Sequence, residues 1–329
     1  MHKGRLDKPA LACHRGPLEE VWIMFGLWVP MTVVAAGLQT LRTAQQKRLT
    51  GVIGQNGAHF ARYFYGAPLA ALLLFLLDRS GQIVPTPDWH FFLYGLGGGV
   101  AQIIATGCLI HAYTLRNFTV ATTFSKTEII QAALLSMILL GEGLEISGWV
   151  AIAIGFAGLV LLTAGKQAQG IAGLGRAWRE PVTLYGLASG GFFALSSIAI
   201  RAASLSFDDG TSLMRAATTL ATITAMQTTL MGGYLLLRNR AALTGALLRA
   251  ARPAASVGIM SVIGSFGWFY AMTLEPVAHV RALGQVEIVF TIAMTIFVFR
   301  ERPTRVEYAG VALVIASVLI LLLAAGLTG

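Results

Sequence analysis

Ten apolar runs, each close to the length of a bilayer span, leave this chain few folds to choose from. A helix needs about 20 mostly apolar residues to cross the hydrocarbon layer. The runs fall at 22–41, 57–77, 91–115, 118–140, 147–165, 182–200, 213–237, 253–274, 277–299 and 308–326. Proline, glycine and charge separate them, as at Asp78-Arg79, Gly141-Glu142-Gly143, Glu180-Pro181, Asp208-Asp209-Gly210, Glu275-Pro276 and Arg302-Pro303. The runs are apolar throughout, without the alternation of a lipid-spanning barrel strand. In lipid only helices and closed barrels satisfy the backbone. The expected fold is therefore all-α integral membrane, with ten transmembrane helices. Composition agrees: 56% of residues are hydrophobic and 12% charged, against roughly a quarter charged in soluble proteins.

The net charge of +9 does not point to nucleic acid. Most basic residues sit in short loops between apolar runs, where membrane proteins collect them. Cys13 and Cys108 have neither metal-ligand nor disulfide spacing, and no cofactor or metal is expected. Lys3, Arg5, Lys8 and Arg15 precede no short apolar core with a cleavage site. Residues 1–21 therefore read as a tail before an uncleaved first span.

The chain repeats itself. A shift of 159 residues maps Ala112, Thr114 and Leu115 onto Ala271, Thr273 and Leu274. The same shift maps Arg42 onto Arg201, Glu128 onto Glu287, Ile129 onto Ile288 and Glu142 onto Glu301. Arg62 pairs with Arg215 at a shift of 153, because the loop before the seventh run is shorter. Paired charges in one order across five spans each indicate duplication, with halves at 22–166 and 182–327. A unit with an odd number of spans enters and leaves on opposite sides. Two tandem copies are then inverted, an arrangement that marks secondary transporters with a midplane site between the halves.

With these features the chain resembles the drug/metabolite transporter superfamily, in its EamA-like branch. The resemblance spans about residues 22–327. It rests on the ten-span layout, on Leu139-Leu140-Gly141-Glu142 closing the fourth run, on Arg62 and Arg215 starting the second and seventh, and on Glu287-Ile-Val-Phe. The matching phrase in the second half is Phe299-Arg300-Glu301, with arginine in place of the usual glycine. The proline of the family's Glu-Pro-Val-Phe is missing here and at Glu128-Ile-Ile. The resemblance implies transport of small metabolites without ATP, often export of amino acids or related compounds.

Six charged residues lie well inside the runs: Arg62, Lys126, Glu128, Arg215, Arg281 and Glu287. Arg62 and Arg215 sit near helix starts and read as anchors or half-to-half ion pairs, because long arginines snorkel. Arg42 and Arg201 read the same way. Each of the others costs roughly 2.5–3.5 kcal/mol at the bilayer centre and must face a cavity or a partner. Thr119, Thr122, Thr123 and Lys126 form one helical stripe, and the repeat sets Arg281 and Gln285 on the equivalent one. Lys126, Arg281, Gln285, Thr122 and Gln39 are thus candidate substrate contacts, suited to a carboxylate.

Glu128 lies about 200° around a continuous helix from Lys126. Glu128 and Glu287 either fix packing or carry a proton or a substrate amine. His111 and His279 could also titrate, and a relay from His279 to Glu287 fits their spacing. Trp28, Trp268, Phe269 and Tyr270 could wall an aromatic cargo, although aromatics also populate interfacial belts. Gly95, Gly97, Gly98, Gly99, Gly155 and Gly158 suit close helix packing. Glu142 and Glu301, just past helix ends, fit capping or pairing with Arg300, Arg302 or Arg305.

The expected function is secondary active transport by alternating access. The cargo is a small amphipathic metabolite, an amino acid or related carboxylate, moved outward by a monomer or homodimer. Export of cationic drugs through Glu128 and Glu287 is the alternative. An intramembrane enzyme is remote, since no HExxH or GxSxG occurs. Loops after odd-numbered helices hold 14 Lys and Arg and the opposite side six. The positive-inside rule thus puts the odd loops in the cytoplasm, while the family is usually drawn with both termini there. Tight loops and short termini suggest a bacterial inner membrane.

Overall fold

A computed structural model describes residues 26–115, 118–165, 180–244, 248, 250–297, 300 and 304–328. Among these, every regular element is helical. In chain order they are α1 (Trp28–Arg79), α2 (Trp89–Leu115), α3 (Phe118–Ser125), α4 (Glu128–Leu139), α5 (Ile146–Gly165), α6 (Pro181–Leu205), α7 (Ser212–Arg238), α8 (Arg240–Thr244), α9 (Ala251–Leu274), α10 (Val277–Leu283), α11 (Glu287–Phe297) and α12 (Arg305–Thr328). Among the described residues, seven stretches are long and apolar enough to cross a membrane: 48–79, 89–112, 146–164, 181–205, 212–238, 251–274 and 305–324.

The runs at 118–140 and 277–299, expected as continuous spans, are each broken. The first divides at Lys126-Thr127, between α3 and α4. The second divides at a 3₁₀ turn over Gly284–Val286, between α10 and α11. Hydropathy could not show this, because both sides of each break are apolar. At the first break, Thr127 Oγ1 donates to the Phe124 carbonyl at 2.6 Å, and Gln131 Nε2 donates to Thr127 Oγ1 at 2.8 Å. Hydroxyl and amide groups thus replace helix bonds lost to the break. Gly190 of α6 lies over it, and a methyl there would meet the Ser125 carbonyl.

The first two runs, expected to be separated by a loop over 42–56, join in α1. Residues 42–53 are rich in Ala, Gln, Lys, Arg and Leu, all good helix formers, so the helix outlasts its apolar run. It is interrupted only at Gly54, whose φ of 73° and ψ of 170° are non-helical. Elsewhere the ends follow local chemistry. Asp88 Oδ1 accepts from the Phe91 N–H at 2.8 Å to start α2. Pro181 opens α6, where its missing N–H costs nothing.

The halves share one plan. α3, α4 and α5 begin at Phe118, Glu128 and Ile146, and α10, α11 and α12 begin 159 residues later, at Val277, Glu287 and Arg305. The main packing pairs are α1 with α9, α2 with α6, and α5 with α12. Under the repeat, α2 corresponds to α9 and the start of α1 to α6. The first two pairs therefore exchange and the third maps onto itself, as in a two-fold relation. α5 and α12 meet backbone to backbone at Gly158 and Gly310, where each added methyl would meet the other's carbonyl. Gly98 meets α6 in the same way, whereas nothing approaches Gly97. The core joins both halves, with Ala35, Ile129, Ala194, Leu220, Trp268 and Leu283 in one cluster.

Candidate functional site

Each break places a carboxylate at the first residue of a half-helix: Glu128 opens α4 and Glu287 opens α11. A helix start carries partial positive charge from its unpaired N–H groups and favours an anion. Discontinuous helices expose such ends inside the protein. The breaks also undo the angular argument made from sequence. Glu128 does not point away from Lys126 on a regular helix, because the helix restarts between them. Both line one cavity, with Gln39, Trp268, Arg281, Gln285 and Glu287. Four of the five candidate substrate contacts thus converge there; the side chain of Thr122 lies outside the described residues.

The charges pair across the halves. Lys126 Nζ lies 3.1 Å from both carboxylate oxygens of Glu287. Arg281 Nη1 lies 3.0 Å from Glu128 Oε1. Each cation of one repeat therefore neutralises the glutamate of the other. The second contact is ionic but not a directed hydrogen bond, and Glu128 Oε1 accepts none among the described residues. Ser197 of α6 accepts from Arg281 Nη2 at 2.5 Å, and the guanidinium lies 5.0 Å from the centre of the Trp268 ring. Gln39 Nε2 donates to Glu287 Oε2 at 2.7 Å, and Trp268 Nε1 donates to Gln39 Oε1 at 3.1 Å. One chain of contacts thus runs Trp268–Gln39–Glu287–Lys126.

Gln285 is 4% exposed, and neither atom of its amide has a hydrogen-bond partner among the described residues. Gly155 leaves the space that this amide fills, beside Ser317, whose Oγ is likewise unpartnered. The cavity itself measures about 20 Å³. That is room for a water molecule and not for a metabolite.

Other candidates lie elsewhere. His279 Nδ1 contacts Glu275 Oε1 at 2.6 Å, one turn away on its own chain segment, and not Glu287 as the expected relay required. His111 packs against Tyr185 and lines a separate groove of about 530 Å³ with His59, Gln55 and Asn56. Trp28 is buried in the core, and Tyr270 stacks on Phe266; of the four proposed aromatic walls only Trp268 lines this cavity. Phe269 lines a second cavity, with Arg62, Tyr63, Gln102, Gln227 and Ser261.

Among the described residues, Glu142 pairs with Arg201 of α6 and not with Arg300 or Arg305, at 2.7 Å; Glu301 and Arg302 lie outside the described residues. Arg201 also donates to the carbonyls of Met272 and Glu275, so of its two expected roles it takes that of a half-to-half ion pair and not that of an anchor. Arg215 Nε donates to the carbonyls of Asp209 and Gly210 and braces that loop. Ser197 and Ser317 were not singled out in the sequence, and Gly155 stood out only as a helix-packing glycine. Their only signal was small polar or glycine residues in apolar helices, which is too common to select them.

Comparison with known proteins places the chain. The model of the EamA-like transporter family matches twice, over residues 26–164 and 181–323. No curated protein matches. A crystal structure of another protein superposes with a TM-score of 0.68 over 91% of this chain and 96% of its own, at 17% identity. That likeness shows the fold alone.

Proposed function

The chain belongs to the EamA-like transporter family, making it a multi-pass membrane transporter of the drug/metabolite type, and from that premise we propose secondary transport by alternating access through the site between α3–α4 and α10–α11. In this reading the ten runs make ten spans in two inverted halves, with each broken pair of helices counting as one span. The cargo is a small amphipathic carboxylate such as an amino acid, exported across a bacterial inner membrane. The observation that carries the reading is the reciprocal pairing of Lys126 with Glu287 and of Arg281 with Glu128.

These pairs explain how charged groups persist in an apolar protein, since an unpaired charge there is costly. They also supply an exchangeable lock. A cargo carboxylate can take Lys126 from Glu287, and the half-helices then separate without leaving the cation bare. Gln39, tied to both Glu287 and Trp268, would report that exchange to α1 and α9.

Counterflow in proteoliposomes tests the reading. Vesicles are loaded with one unlabelled amino-acid pool at a time, and tracer uptake is compared for the wild type and Lys126→Ala. Uptake with one pool that falls at least about tenfold in the folded variant, the loss of about 1.4 kcal/mol of binding, supports it. Uptake equal to that of empty vesicles for every pool rejects the amino-acid cargo.

A further inference from the structure

The centre of the protein holds more positive charge than its carboxylates balance. Lys126 and Arg281 are matched by Glu287 and Glu128. Arg42 and Arg62 are not: among the described residues no carboxylate lies within ion-pair distance of either. Arg42 is 8% exposed, and its Nε has no hydrogen-bond partner among the described residues. Gln39, one turn before it on α1, donates to Glu287. The repeat counterpart of Arg42, Arg201, equally buried, is paired with Glu142 and capped by two carbonyls. One position of the duplicated plan is satisfied within the protein and the other is left open.

The surroundings of the open position are polar and partly unpartnered. Arg42 stands one turn beyond Gln39 on α1, so the two face the same way. Arg62 lines the second cavity with Tyr63, Gln102, Gln227 and Ser261. Ser261 Oγ is buried and has no hydrogen-bond partner among the described residues. On α9 this serine lies between Gly258, which touches Tyr65 and Gly66, and Gly264, which touches Leu38. It therefore sits where the two segments of α1 approach α9. Two guanidinium groups and an unpartnered hydroxyl lie together with no carboxylate paired to them among the described residues. Arginine recognises carboxylate and phosphate oxygens through paired N–H groups.

We propose that Arg42, Arg62 and Ser261 bind the anionic group, carboxylate or phosphate, of a soluble ligand beside the Lys126–Glu287 pair. This deepens the transport reading and rests on it for the identity of the cargo, but anion binding is measurable without transport. The second cavity is about 10 Å³ in this arrangement, less than a ligand needs. The anion therefore binds as the segments of α1 part from α9. Once bound, it supplies Arg42 with the negative charge that no carboxylate among the described residues provides within ion-pair distance. A cationic cargo would meet repulsion at the same place.

The test is thermal unfolding of the purified full chain in neutral detergent at fixed ionic strength. Sodium benzoate, inorganic phosphate and phosphatidylglycerol are each compared with chloride. At saturation, benzoate or phosphate raises the wild-type midpoint by roughly 3 °C or more. The two soluble anions tell a carboxylate ligand from a phosphate one. Arg42→Gln and Arg62→Gln lose that rise, and Lys126→Gln keeps at least part of it.

A second readout needs no ligand. If Arg42 is uncompensated, Arg42→Gln removes repulsion and raises the anion-free midpoint, while Arg42→Lys preserves both the charge and some of the anion response. A lowered midpoint in Arg42→Gln would show a carboxylate partner within the protein and overturn the proposal. So would a response to phosphatidylglycerol alone, or to no anion beyond chloride. Counterflow of a neutral or cationic cargo alongside that negative result would leave the transport reading standing without the anion site.

Discussion

Lys126 and Glu287 are 161 positions apart in sequence and 3.1 Å apart in space, and their contact joins the two repeats where both are interrupted. Lys126 lies in the break before α4, and Glu287 opens α11. The pair is partly shielded, with side-chain exposures of 27% and 20%. Removing one member leaves the other charged and only partly reached by solvent. Removing both leaves Gln39 and Gln285 beside the remaining Arg281–Glu128 pair.

Lys126→Met should therefore destabilise the protein by about 2 kcal/mol, below the range for a fully buried pair because solvent screens part of the charge. Adding Glu287→Met should return most of that loss, since apolar replacement of both partners is often nearly neutral. Reversible unfolding in mixed micelles, run as a double-mutant cycle, measures the coupling. A sum of independent effects would mean that the two residues do not act together.

Gly141 and Arg300 are repeat counterparts, and both take left-handed backbone, with φ of 68° and 55°. Glycine adopts that conformation freely, whereas a residue with a Cβ costs roughly 1–2 kcal/mol there. The arginine departs from the family phrase while the backbone keeps the shape of that phrase. Arg300→Gly should stabilise the fold by about 0.5 kcal/mol once glycine's larger unfolded-state entropy is subtracted. Gly141→Ala should destabilise it by about 1 kcal/mol. Unfolding midpoints of the two variants should move in opposite directions.

Asp88 lies outside the membrane-spanning segments and starts α2. The Phe91 backbone N–H, then the His90 side chain, hold its carboxyl below the usual value of 3.8. A depressed carboxyl stabilises the folded form above its unfolded pKa, and that contribution is lost as pH falls through the lower folded value. The cap should therefore be intact at neutral pH and fail only below pH 3.8. Hydrogen exchange at the Phe91 amide checks this. Asp88→Ala should show fast exchange at every pH, and the wild type should lose protection only in that acid window.

Much of this protein is legible in its sequence because lipid is a simple solvent. Length and apolar content select spans, and the 159-residue shift pairs Glu128 with Glu287 and Arg42 with Arg201. Lys126, Arg281, Gln285 and Gln39 stand out as polar residues in apolar helices, where polarity is expensive. Which charge meets which cannot be read from periodicity. A regular helix puts Lys126 and Glu128 on different faces, and one unwound residue pair puts them in the same cavity. His279 shows the same limit, since its spacing from Glu287 suited a relay and a nearer carboxylate, Glu275, took it.

The sequence by itself determined a helical membrane protein in two related halves, because hydrophobic matching to lipid and a duplicated order of charges depend only on residue order. The tertiary structure decided where the spans break, that the cations of one half neutralise the carboxylates of the other, and that Arg201 is paired within the described chain while Arg42 is not. Those outcomes depend on packing across the repeats. Serine, threonine and glutamine groups stabilise a break, and close glycine contacts set the separations over which charges act. Neither is encoded at a fixed distance along the chain.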